Sequence, residues 1–381
     1  MTTDSGLWWV DGAKSSGKRN RQPRKMTYSC QLISSSNAAH LQQLYTGFAA
    51  LNRSNYLNLR WTPPAACGEP DPGQHALIAV LNDGLRVAYD VIDAHEIDRD
   101  LLARVDLYFK RSCAFHYPEL APREAAKIRP LGLNYEVYPD DIDLSGINRT
   151  WRTRHGLGRV TGIFGSLGIT ARYVPRQRAL EPRASDRTDP FVVFLTRVWD
   201  PDDVDRDNAF KQDRLELNSM RAACIRALRE HFGGRAIVGL LPSNYASRTY
   251  PELQVHDPRL TDRGQYQDLI RRACVCVTST GLHRSAGWKL GEYVSLGKAI
   301  VSEKVNCTLP GEFLPEHNYL SFSDPDQCVA AVTRLFTEPD LIAKLMTANT
   351  DYYQRFLKPD MLIMNSLGYD HVELPNTAEA T

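Results

Sequence analysis

The sequence predicts an α/β protein with two doubly wound domains that face each other across a central cleft, followed by a long helical region at the C-terminus. Three observations favour this fold. The chain has 381 residues, enough for two domains of ordinary size. Short apolar runs alternate with segments of helical periodicity, the pattern of parallel strands covered by helices. One polar stretch, 178–190, interrupts this alternation and has the composition of a linker.

The composition is that of a soluble globular chain. Hydrophobic residues make up 43% of the sequence and charged residues 24%. No run approaches the roughly 18 apolar residues that span a membrane. Basic and acidic residues number 46 and 45, for a net charge of +1. This balance excludes the excess positive charge of general nucleic-acid binders. We therefore expect a cytoplasmic protein without a nucleic-acid partner.

The beginning of the chain differs from the rest. Residues 1–25 contain six basic and two acidic residues, and they lack the apolar core and cleavage site of a secretory signal. We interpret them as a disordered basic leader. Alternatively, translation starts at Met26, directly before the first predicted strand. The alternative is an arm that touches an anionic membrane or polymer, with Trp8 and Trp9 as interfacial anchors. Membrane contact is thus expected to be at most peripheral.

The eight cysteines predict free thiols. They are scattered, and none forms a C-x-x-C pair or stands at zinc-ligand spacing from a histidine. Cys274 and Cys276 are two apart in an apolar run, so they share one face of a predicted strand, where cysteine packs as a small hydrophobic residue. Reduced thiols are the ordinary state in the cytoplasm.

Residues 26–178 are expected to form the N-terminal domain. A strand over 28–34 is followed by a helix whose apolar residues recur at intervals of three and four. Its predicted inward face consists of Leu41, Leu44, Tyr45, Phe48 and Leu51. Further strands are predicted over 57–61, 76–82, 85–92 and 106–110.

A linker over 179–190 leads to a second domain over 191–345. Its predicted strands are 191–195, 236–241, 253–256, 274–278, 299–302 and 318–322. Its predicted helices are one with Leu217, Met220, Cys224, Leu228 and Phe232 on one face, one over 262–272 and one over 287–296. A C-terminal helix over 346–370 is expected to cross back to the N-terminal domain, before a tail over 371–381.

The most informative run, 278–304, begins at the end of a predicted strand, where doubly wound sheets bind ligands. Gly281 permits a tight turn, and Ser285 to Gly287 then open a helix whose first amide groups form a site for an anion. Lys289 and Glu292 follow on one face of this helix. A cation and a carboxylate beside an anion site fit a ligand with a phosphate and a diol.

Two segments resemble a known family. The run Glu292-Tyr-Val-Ser-Leu-Gly-Lys-Ala-Ile-Val resembles the second half of the E-x7-E element of GT-B glycosyltransferases, especially the retaining group called family 4. The run from Phe191 to Arg197, followed by Val-Trp-Asp-Pro, resembles the first strand of that family's nucleotide-binding domain. The resemblance covers residues 190–345. Residues 281–292 also resemble a subgroup of bacterial surface-polysaccharide transferases.

The resemblance implies a GT-B fold of two Rossmann-like domains and a hexosyltransferase-type activity. A sugar would move from a nucleoside diphosphate-sugar donor to a hydroxyl of a saccharide or lipid-linked saccharide, in surface polysaccharide or glycan synthesis. By position, Glu292 would bind the donor ribose and Arg197 the diphosphate. Either Lys289 or Lys211 would be the second phosphate cation, beside the anion site at Gly281 and Ser285. The nucleotide sugar is a co-substrate, and the resemblance implies neither a metal nor another cofactor.

The chain departs from the family at one position. The family's first Glu would stand eight residues before Glu292, where this chain has Arg284. Because that Glu touches the transferred sugar, the identity of the sugar and the anomeric outcome stay open. An arginine there favours an acidic sugar or a further phosphate contact, and we expect Arg284 in the donor site. Alternatively, His283 faces the sugar.

The two donor-site residues also have ordinary structural interpretations. Glu292 would be an exposed helix residue paired with Lys289, three positions earlier. Arg197 would be a surface residue that follows a strand. Their joint presence, in the family's order and 95 positions apart, favours donor binding.

The catalytic base is expected in the N-terminal domain, where the strand that ends near Asp93 meets the cleft. Asp93 or His95 would take the proton of an acceptor hydroxyl there. The alternative for Asp93 is a capping box, because Asp93 and Glu96 have the spacing that caps a helix. His40, near the start of the first helix, is a further candidate.

Four further sequence features are a basic pair, a glycine run, an aspartate pair and a set of aromatic residues. Lys110 and Arg111 would contact an anionic acceptor or the donor phosphate, or form an exposed basic pair. The G-x-G-x-x-x-G run over 156–162 is one residue too long for a dinucleotide fingerprint and follows no clear strand. The Asp203-Val-Asp205 pair resembles a metal motif but is expected to be a solvated loop. Four aromatic residues are expected to pack rather than to bind sugar, with the alternative that one of them lines the cleft: Trp288, Tyr293, Tyr352 and Tyr353.

Two other functions stay open. A nucleotide-sugar epimerase shares the fold and needs no second substrate pocket. A catalytically degenerate scaffold that binds nucleotide sugar, or nothing, also fits, because Arg284 replaces the family's first Glu.

Overall fold

The computed structural model of the chain describes residues 28–82, 84–140, 174–183, 186, 188–203 and 208–368. Several predictions concern residues outside this part of the chain: the basic leader, the glycine run over 156–162, Asp205 and the tail. The described residues form two α/β units, each built on one sheet.

The sheet of the N-terminal domain has six strands among the described residues. They are β1 (Tyr28–Ile33), β2 (Leu57–Thr62), β3 (Ala76–Leu81), β4 (Leu85–Asp90), β5 (Leu107–Lys110) and β6 (Ile128–Pro130), in the order β2-β1-β3-β4-β5-β6. The helices in the described part of this domain are α1 (Gln42–Arg53), α2 (Pro64–Cys67), α3 (Arg99–Ala103) and α4 (Pro122–Ala125). All five predicted inward residues of the first helical segment are buried, which confirms that amphipathic face.

One strand of this sheet runs against the others, so the prediction of a parallel sheet is wrong there. β3 pairs antiparallel with both β1 and β4, whereas β1–β2, β4–β5 and β5–β6 are parallel. A short connection joins β3 to β4, and Asn82 takes a left-handed φ of 49° in it. Two strands joined so closely can pair only as a hairpin. The apolar patterns of β3 and β4 do not indicate whether the two strands run parallel or antiparallel.

The sheet of the C-terminal domain is parallel throughout. Its strands are β7 (Asp189–Thr196), β8 (Ala236–Leu240), β9 (Ala273–Thr278), β10 (Ala299–Glu303) and β11 (Tyr319–Phe322), in the order β11-β10-β9-β7-β8. Its helices are α5 (Asn208–Phe232), α6 (Asn244–Thr249), α7 (Arg263–Arg272), α8 (Trp288–Ser295), α9 (Pro325–Thr337) and α10 (Pro339–Tyr352). The strand order reverses direction between β7 and β9. That switch point is where doubly wound sheets bind ligands.

A strand predicted over 253–256 does not form. Residues Pro251–Leu253 make a 3-10 turn, and only Gln254 forms a bridge, to Leu240 at the end of β8. Two turn-forming prolines, Pro251 and Pro258, flank this short apolar stretch and leave it too little length for a strand.

Both sheets bury apolar side chains on both faces. In the C-terminal domain, α5, α9 and α10 cover one face. The other face is covered by α7 and α8 and by three residues from before the linker, Leu133, Tyr135 and Val137. The segment over 133–138 therefore packs in the core of the second domain. All eight cysteines are free and seven are buried, which confirms the prediction of free thiols.

The C-terminal region returns to the N-terminal domain. After a π-helical turn, Tyr353–Leu357, helix α11 (Pro359–Leu367) packs against α1. Leu362 and Ile363 lie in the N-terminal core, and the hydroxyls of Tyr89 and Ser366 are 2.7 Å apart. The backbones approach so closely that a Cβ on Gly47 would lie 2.1 Å from the carbonyl oxygen of Pro359. None of the helices in the described ranges has the length and apolar character needed to cross a bilayer.

Candidate active site

A cavity of about 830 Å³ lies between the two domains, at the carboxyl ends of both sheets. The N-terminal domain contributes residues that follow β1, β4 and β5, and the C-terminal domain contributes the ends of β7 and β9. The residues that line it include His40, Asp93, Arg111, Glu136, Arg197, Arg221, Arg263, Gly281, Ser285, Trp288, Lys289 and Glu292. The predicted cleft therefore exists, at the topological switch point of the second sheet.

Arg197 directly follows β7 and is exposed in this cavity. Within the described ranges its guanidinium has no hydrogen-bond or ion-pair partner. A cationic side chain left unpaired at a switch point is available for an anionic ligand.

Beneath Arg197 lies a second arginine, Arg221 of α5, which the sequence analysis did not identify. It is buried and donates to the Arg197 carbonyl at 2.6 Å, to Ser279 Oγ at 2.8 Å and to the Thr280 carbonyl at 2.8 Å. Burial lowers the pKa of Arg221 to about 10, so the side chain keeps its charge at neutral pH. It joins the ends of β7 and β9 and places a buried positive charge in the wall of the cavity. In the sequence it appears as one more polar residue of an amphipathic helix.

The loop between β9 and α8 closes on itself. Gly281 N donates to the Ser285 carbonyl at 2.8 Å, and a Cβ on Gly281 would lie 2.7 Å from Ser285 Oγ. Gly287 caps α8, and the first amide groups of the helix, which have no helical acceptors, are next to the cavity. This is the predicted geometry of an anion site.

Lys289 lines the cavity on the first turn of α8. Its Nζ donates to the Tyr266 hydroxyl at 2.5 Å and lies 4.2 Å from the centre of that ring. Burial lowers the pKa of Lys289 from 10.5 to about 8, while the charge of Glu292 acts in the opposite direction. Lys289 is therefore a cation at neutral pH that titrates slightly above it.

Glu292 lies on the next turn and is only 3% exposed. The ordinary structural interpretation pairs Glu292 with Lys289, but the two side chains do not form an ion pair. Its Oε1 accepts from Arg263 Nη2 at 2.6 Å, and Arg263 is the first residue of α7. No described residue donates to Oε2. The interpretation of Glu292 as an exposed helix residue is wrong, and sequence reasoning missed Arg263, 29 positions earlier.

Three predicted donor-site residues are not part of the cavity wall. Lys211 pairs with Asp202 at 3.2 Å, on the exposed side of α5. His283 and Arg284 both take left-handed φ values, 58° and 55°. The His283 ring lies 5.9 Å from the Phe210 ring, and Arg284 is exposed. Of the two lysines proposed as the phosphate cation, the structure brings only Lys289 to the cavity.

On the N-terminal side, Asp93 lines the cavity as an ion-pair partner of Arg111. Arg111 also donates to the Ala286 carbonyl at 2.7 Å, so it joins Asp93 to the loop before α8. The capping box predicted for Asp93 does not form, because no helix begins there. The next helix, α3, is capped by Asp98, whose side chain accepts from Leu101 N at 2.9 Å.

Of the two alternatives for Lys110 and Arg111, the exposed basic pair is wrong, because both side chains are buried. Lys110 Nζ donates to Asp90 Oδ2 at 2.9 Å, and the Tyr108 hydroxyl donates to the same oxygen at 2.5 Å. This ion pair neutralises two charges inside the sheet. The Arg111 side chain points across the cleft instead.

His40 lies opposite α8 on the cavity wall. Its ring centre is 4.4 Å from that of Trp288 and 5.3 Å from that of His75. Burial, helped by the nearby charge of Arg111, lowers the pKa of His40 to about 4. The imidazole is therefore neutral at pH 7. Its Nδ1 has no hydrogen-bond partner within the described residues.

His95 lies outside the cavity wall. Its Nδ1 is 2.8 Å from the Ser112 carbonyl, an interaction that supports the loop after β5. Three of the four aromatic residues assigned to packing, Tyr293, Tyr352 and Tyr353, are buried. The fourth, Trp288, lines the cavity beside His40.

The acidic loop after β7 makes surface ion pairs where it is described. Asp200 pairs with Arg248 at 2.7 Å, and Asp202 pairs with Lys211. Asp203 is exposed, and Asp205 lies outside the described residues. Among the residues that are described, no group of three or more His, Cys, Asp or Glu side chains is arranged to hold a metal ion.

Gly291 sets the distance between α8 and the segment over 133–138, which packs in the core of the second domain. A Cβ on Gly291 would lie 2.6 Å from the Asn134 carbonyl oxygen and 3.2 Å from Tyr135 Cβ. Only glycine permits this approach, which places Glu292 of α8 close to Glu136 of the packed segment.

No family model and no curated protein matches this chain. It is similar to the solved structure of Anabaena HepE in complex with UDP-glucose, at 10% identity over 89% of this chain and 100% of that one, with a TM-score of 0.38. It is similar to sucrose-phosphate synthase from Thermosynechococcus elongatus, at 13% identity over 89% and 94%, with a TM-score of 0.37. It is also similar to the C-terminal domain of the group 1 glycosyl transferase LpcC from Francisella tularensis, at 11% identity over 47% and 95%, with a TM-score of 0.29.

The chain itself has the GT-B architecture. Two α/β domains contribute the carboxyl ends of their strands to one cavity, and the last helix returns to the first domain. The fold class predicted from the sequence is confirmed in this form.

Proposed function

We propose that this protein is a glycosyltransferase that moves a sugar from a nucleoside diphosphate-sugar donor to a hydroxyl of a saccharide or lipid-linked saccharide. One observation carries the proposal: at the switch point of the second sheet, a single cavity combines an arginine with no ion-pair partner among the described residues, a lysine, a helix N-terminus and a buried carboxylate. Across this cavity lie a carboxylate and a neutral imidazole of the other domain.

The C-terminal side fits the donor. Arg197, Lys289 and the first amides of α8 would bind the diphosphate, and Glu292 Oε2 would accept from the ribose hydroxyls. As the bond to the sugar breaks, negative charge grows on the departing diphosphate. Cations and amides that are already oriented stabilise this charge without reorganising. Arg221 supports them by fixing the backbone at Arg197.

The N-terminal side fits the acceptor and its base. His40 is neutral at pH 7, so it is able to accept the proton of an acceptor hydroxyl. Burial and the charge of Arg111 lower the pKa of His40, and the negative charge of Asp93 partly offsets this effect on the protonated imidazole that results. We therefore assign the role of base to His40 with Asp93 beside it. His95 and His283 lie away from the cavity wall, and we assign them no catalytic role.

We propose a role in surface polysaccharide or glycan synthesis at the cytoplasmic side of the membrane, with peripheral contact at most. The donor diphosphate would be neutralised by Arg197 and Lys289, so that the reaction requires no metal or other cofactor.

Product analysis tests the proposed activity. The protein would be incubated with common nucleoside diphosphate sugars, with and without a mixture of saccharide and lipid-linked saccharide acceptors. The proposal predicts release of a nucleoside diphosphate together with a longer glycan, both dependent on the acceptor. A changed sugar on an intact donor, formed without acceptor, would instead identify an epimerase. No turnover of a donor that binds would identify a scaffold.

A further inference from the structure

Arg263 lies between two carboxylates at the wall of the cavity. Its Nη2 donates to Glu292 Oε1 at 2.6 Å, and the same nitrogen is 3.8 Å from Glu136 Oε2. All three residues line the cavity. Glu136 belongs to the segment that precedes the linker, whereas Arg263 and Glu292 belong to the second domain.

The Glu292 carboxylate needs this partner because it is almost completely buried. A buried carboxylate without a hydrogen-bonded cation is strongly unfavourable, so it rotates away or binds a proton. Arg263 Nη2 makes one charge-assisted hydrogen bond to Oε1, which favours a single orientation of the carboxylate. Because the Glu292 side chain is also buried, few other orientations are open to it, and Oε2 remains unpaired within the described ranges.

The guanidinium is itself held from the other side. The Tyr138 hydroxyl donates to Glu136 Oε1 at 3.1 Å. The neighbouring Tyr135 and Val137 are buried in the core of the second domain, which anchors this segment. A continuous polar series therefore runs from Tyr138 through Glu136 and Arg263 to Glu292.

We propose that Arg263 is a positioning residue that sets the preference of the site for ribonucleotides. It holds Glu292 so that Oε2 accepts from the ribose 2′ and 3′ hydroxyls, and a donor without the 2′ hydroxyl loses one of these hydrogen bonds. This inference rests on the proposed function, because it takes Glu292 as the ribose ligand of a nucleoside diphosphate.

The test compares ribose with deoxyribose. Dissociation constants are measured by calorimetry for UDP, GDP, ADP and CDP, and then for the 2′-deoxy form of whichever binds. Wild type should prefer the ribonucleotide by about tenfold or more, as expected for one lost hydrogen bond to a charged group. In Arg263→Gln this preference should fall to nearly one, with little change in affinity for the deoxynucleotide.

Conservative variants separate positioning from folding. Arg263→Lys keeps the charge and should retain part of the ribose preference. Arg259→Gln is the matched control, because Arg259 is exposed and its ion-pair partner among the described residues is Asp257, two positions earlier. It should leave both dissociation constants unchanged.

The outcomes distinguish this inference from the proposed function. If Arg263→Gln weakens both nucleotides equally, or leaves the preference as in wild type, Arg263 does not position Glu292 for ribose and the inference is wrong. If wild type binds none of the four nucleotides, the proposed function itself is contradicted. If Glu292→Gln leaves the ribose preference intact, Glu292 is not the ribose ligand, and the inference about Arg263 is wrong with it.

Discussion

Arg221 donates from its buried guanidinium to the backbone carbonyl of Arg197, over 2.6 Å. The exposed arginine that is proposed to bind the diphosphate is thus fixed by a buried arginine below it. The same guanidinium holds Ser279 and Thr280 at the end of β9. One side chain therefore fixes both strand ends at the switch point.

Replacing Arg221 should weaken stability and donor binding together. In Arg221→Met, the carbonyls of Arg197 and Thr280 lose a charged donor, so the free energy of unfolding should fall by about 2–3 kcal/mol. Urea unfolding measures this change, and nucleotide titration measures the dissociation constant. Arg226→Met on the same helix is the control: Arg226 is exposed in a surface ion pair, and its loss should cost less than about 1 kcal/mol. Equal effects of the two substitutions would contradict the role given to Arg221.

Donor affinity should fall as the pH rises through about 8. The pKa of Lys289 is lowered from 10.5 to about 8 in the free protein. Below this pH the cation is present. Above it, the diphosphate binds only with uptake of a proton, so the dissociation constant should rise by up to tenfold per pH unit. Nucleotide titrations from about pH 7 to 9.5 check this. Lys289→Arg stays charged and should flatten the profile, and a slope that persists in this variant would assign it to another group.

Gly291→Ala should disturb the position of α8. The new methyl group would meet the Asn134 carbonyl at 2.6 Å, and a backbone atom cannot move aside cheaply. We expect a loss of stability of about 1–3 kcal/mol and weaker donor binding. Gly234→Ala is the matched control, because nothing lies within 4 Å of its Cβ position. Thermal unfolding of the two variants measures the difference, and a Gly291→Ala protein as stable as the control would show that the contact is easily relieved.

His40→Gln should reduce turnover without loss of donor binding. If His40 is the base, kcat should fall about 10²–10⁴-fold. His95→Gln is the comparison, since His95 supports a loop away from the cavity and should keep most of the activity. Steady-state kinetics with the same donor and acceptor decide between them. Activity lost in His95→Gln and kept in His40→Gln would reverse the assignment.

Local patterns predicted the elements that carry the site. The run Ala-Cys-Val-Cys-Val and the helix that follows it became β9 and α8 to within a residue or two, because burial and helical periodicity are properties of adjacent residues. The same reasoning predicted the start of α8 beside the cavity, where we propose an anion site. It did not predict the direction of β3, because alternation of apolar residues looks the same in parallel and antiparallel strands.

The partners of the site residues were not predictable in this way. Glu292 pairs with Arg263, and Asp93 pairs with Arg111. Both arginines stand on other elements, brought near by the winding of the sheets. The sequence offers a nearer partner for each carboxylate, Lys289 for Glu292 and a helix end for Asp93. Spacing along the sequence favours these nearer partners. Tertiary packing instead brings each carboxylate to an arginine of another element.

The most direct test of the central claim is a thermal-shift comparison of wild type and Glu292→Gln with UDP, GDP, ADP and CMP and their common sugar conjugates. A ligand at 100 times its dissociation constant stabilises the fold by about 2.7 kcal/mol, which is readily measured. Glu312→Gln is the control, because Glu312 is exposed on a loop away from the cavity wall. We predict that one nucleotide and its sugar conjugate shift wild type and Glu312→Gln but not Glu292→Gln. An equal shift in all three proteins, or no shift in wild type with any of these ligands, would contradict a nucleotide-sugar site at Glu292.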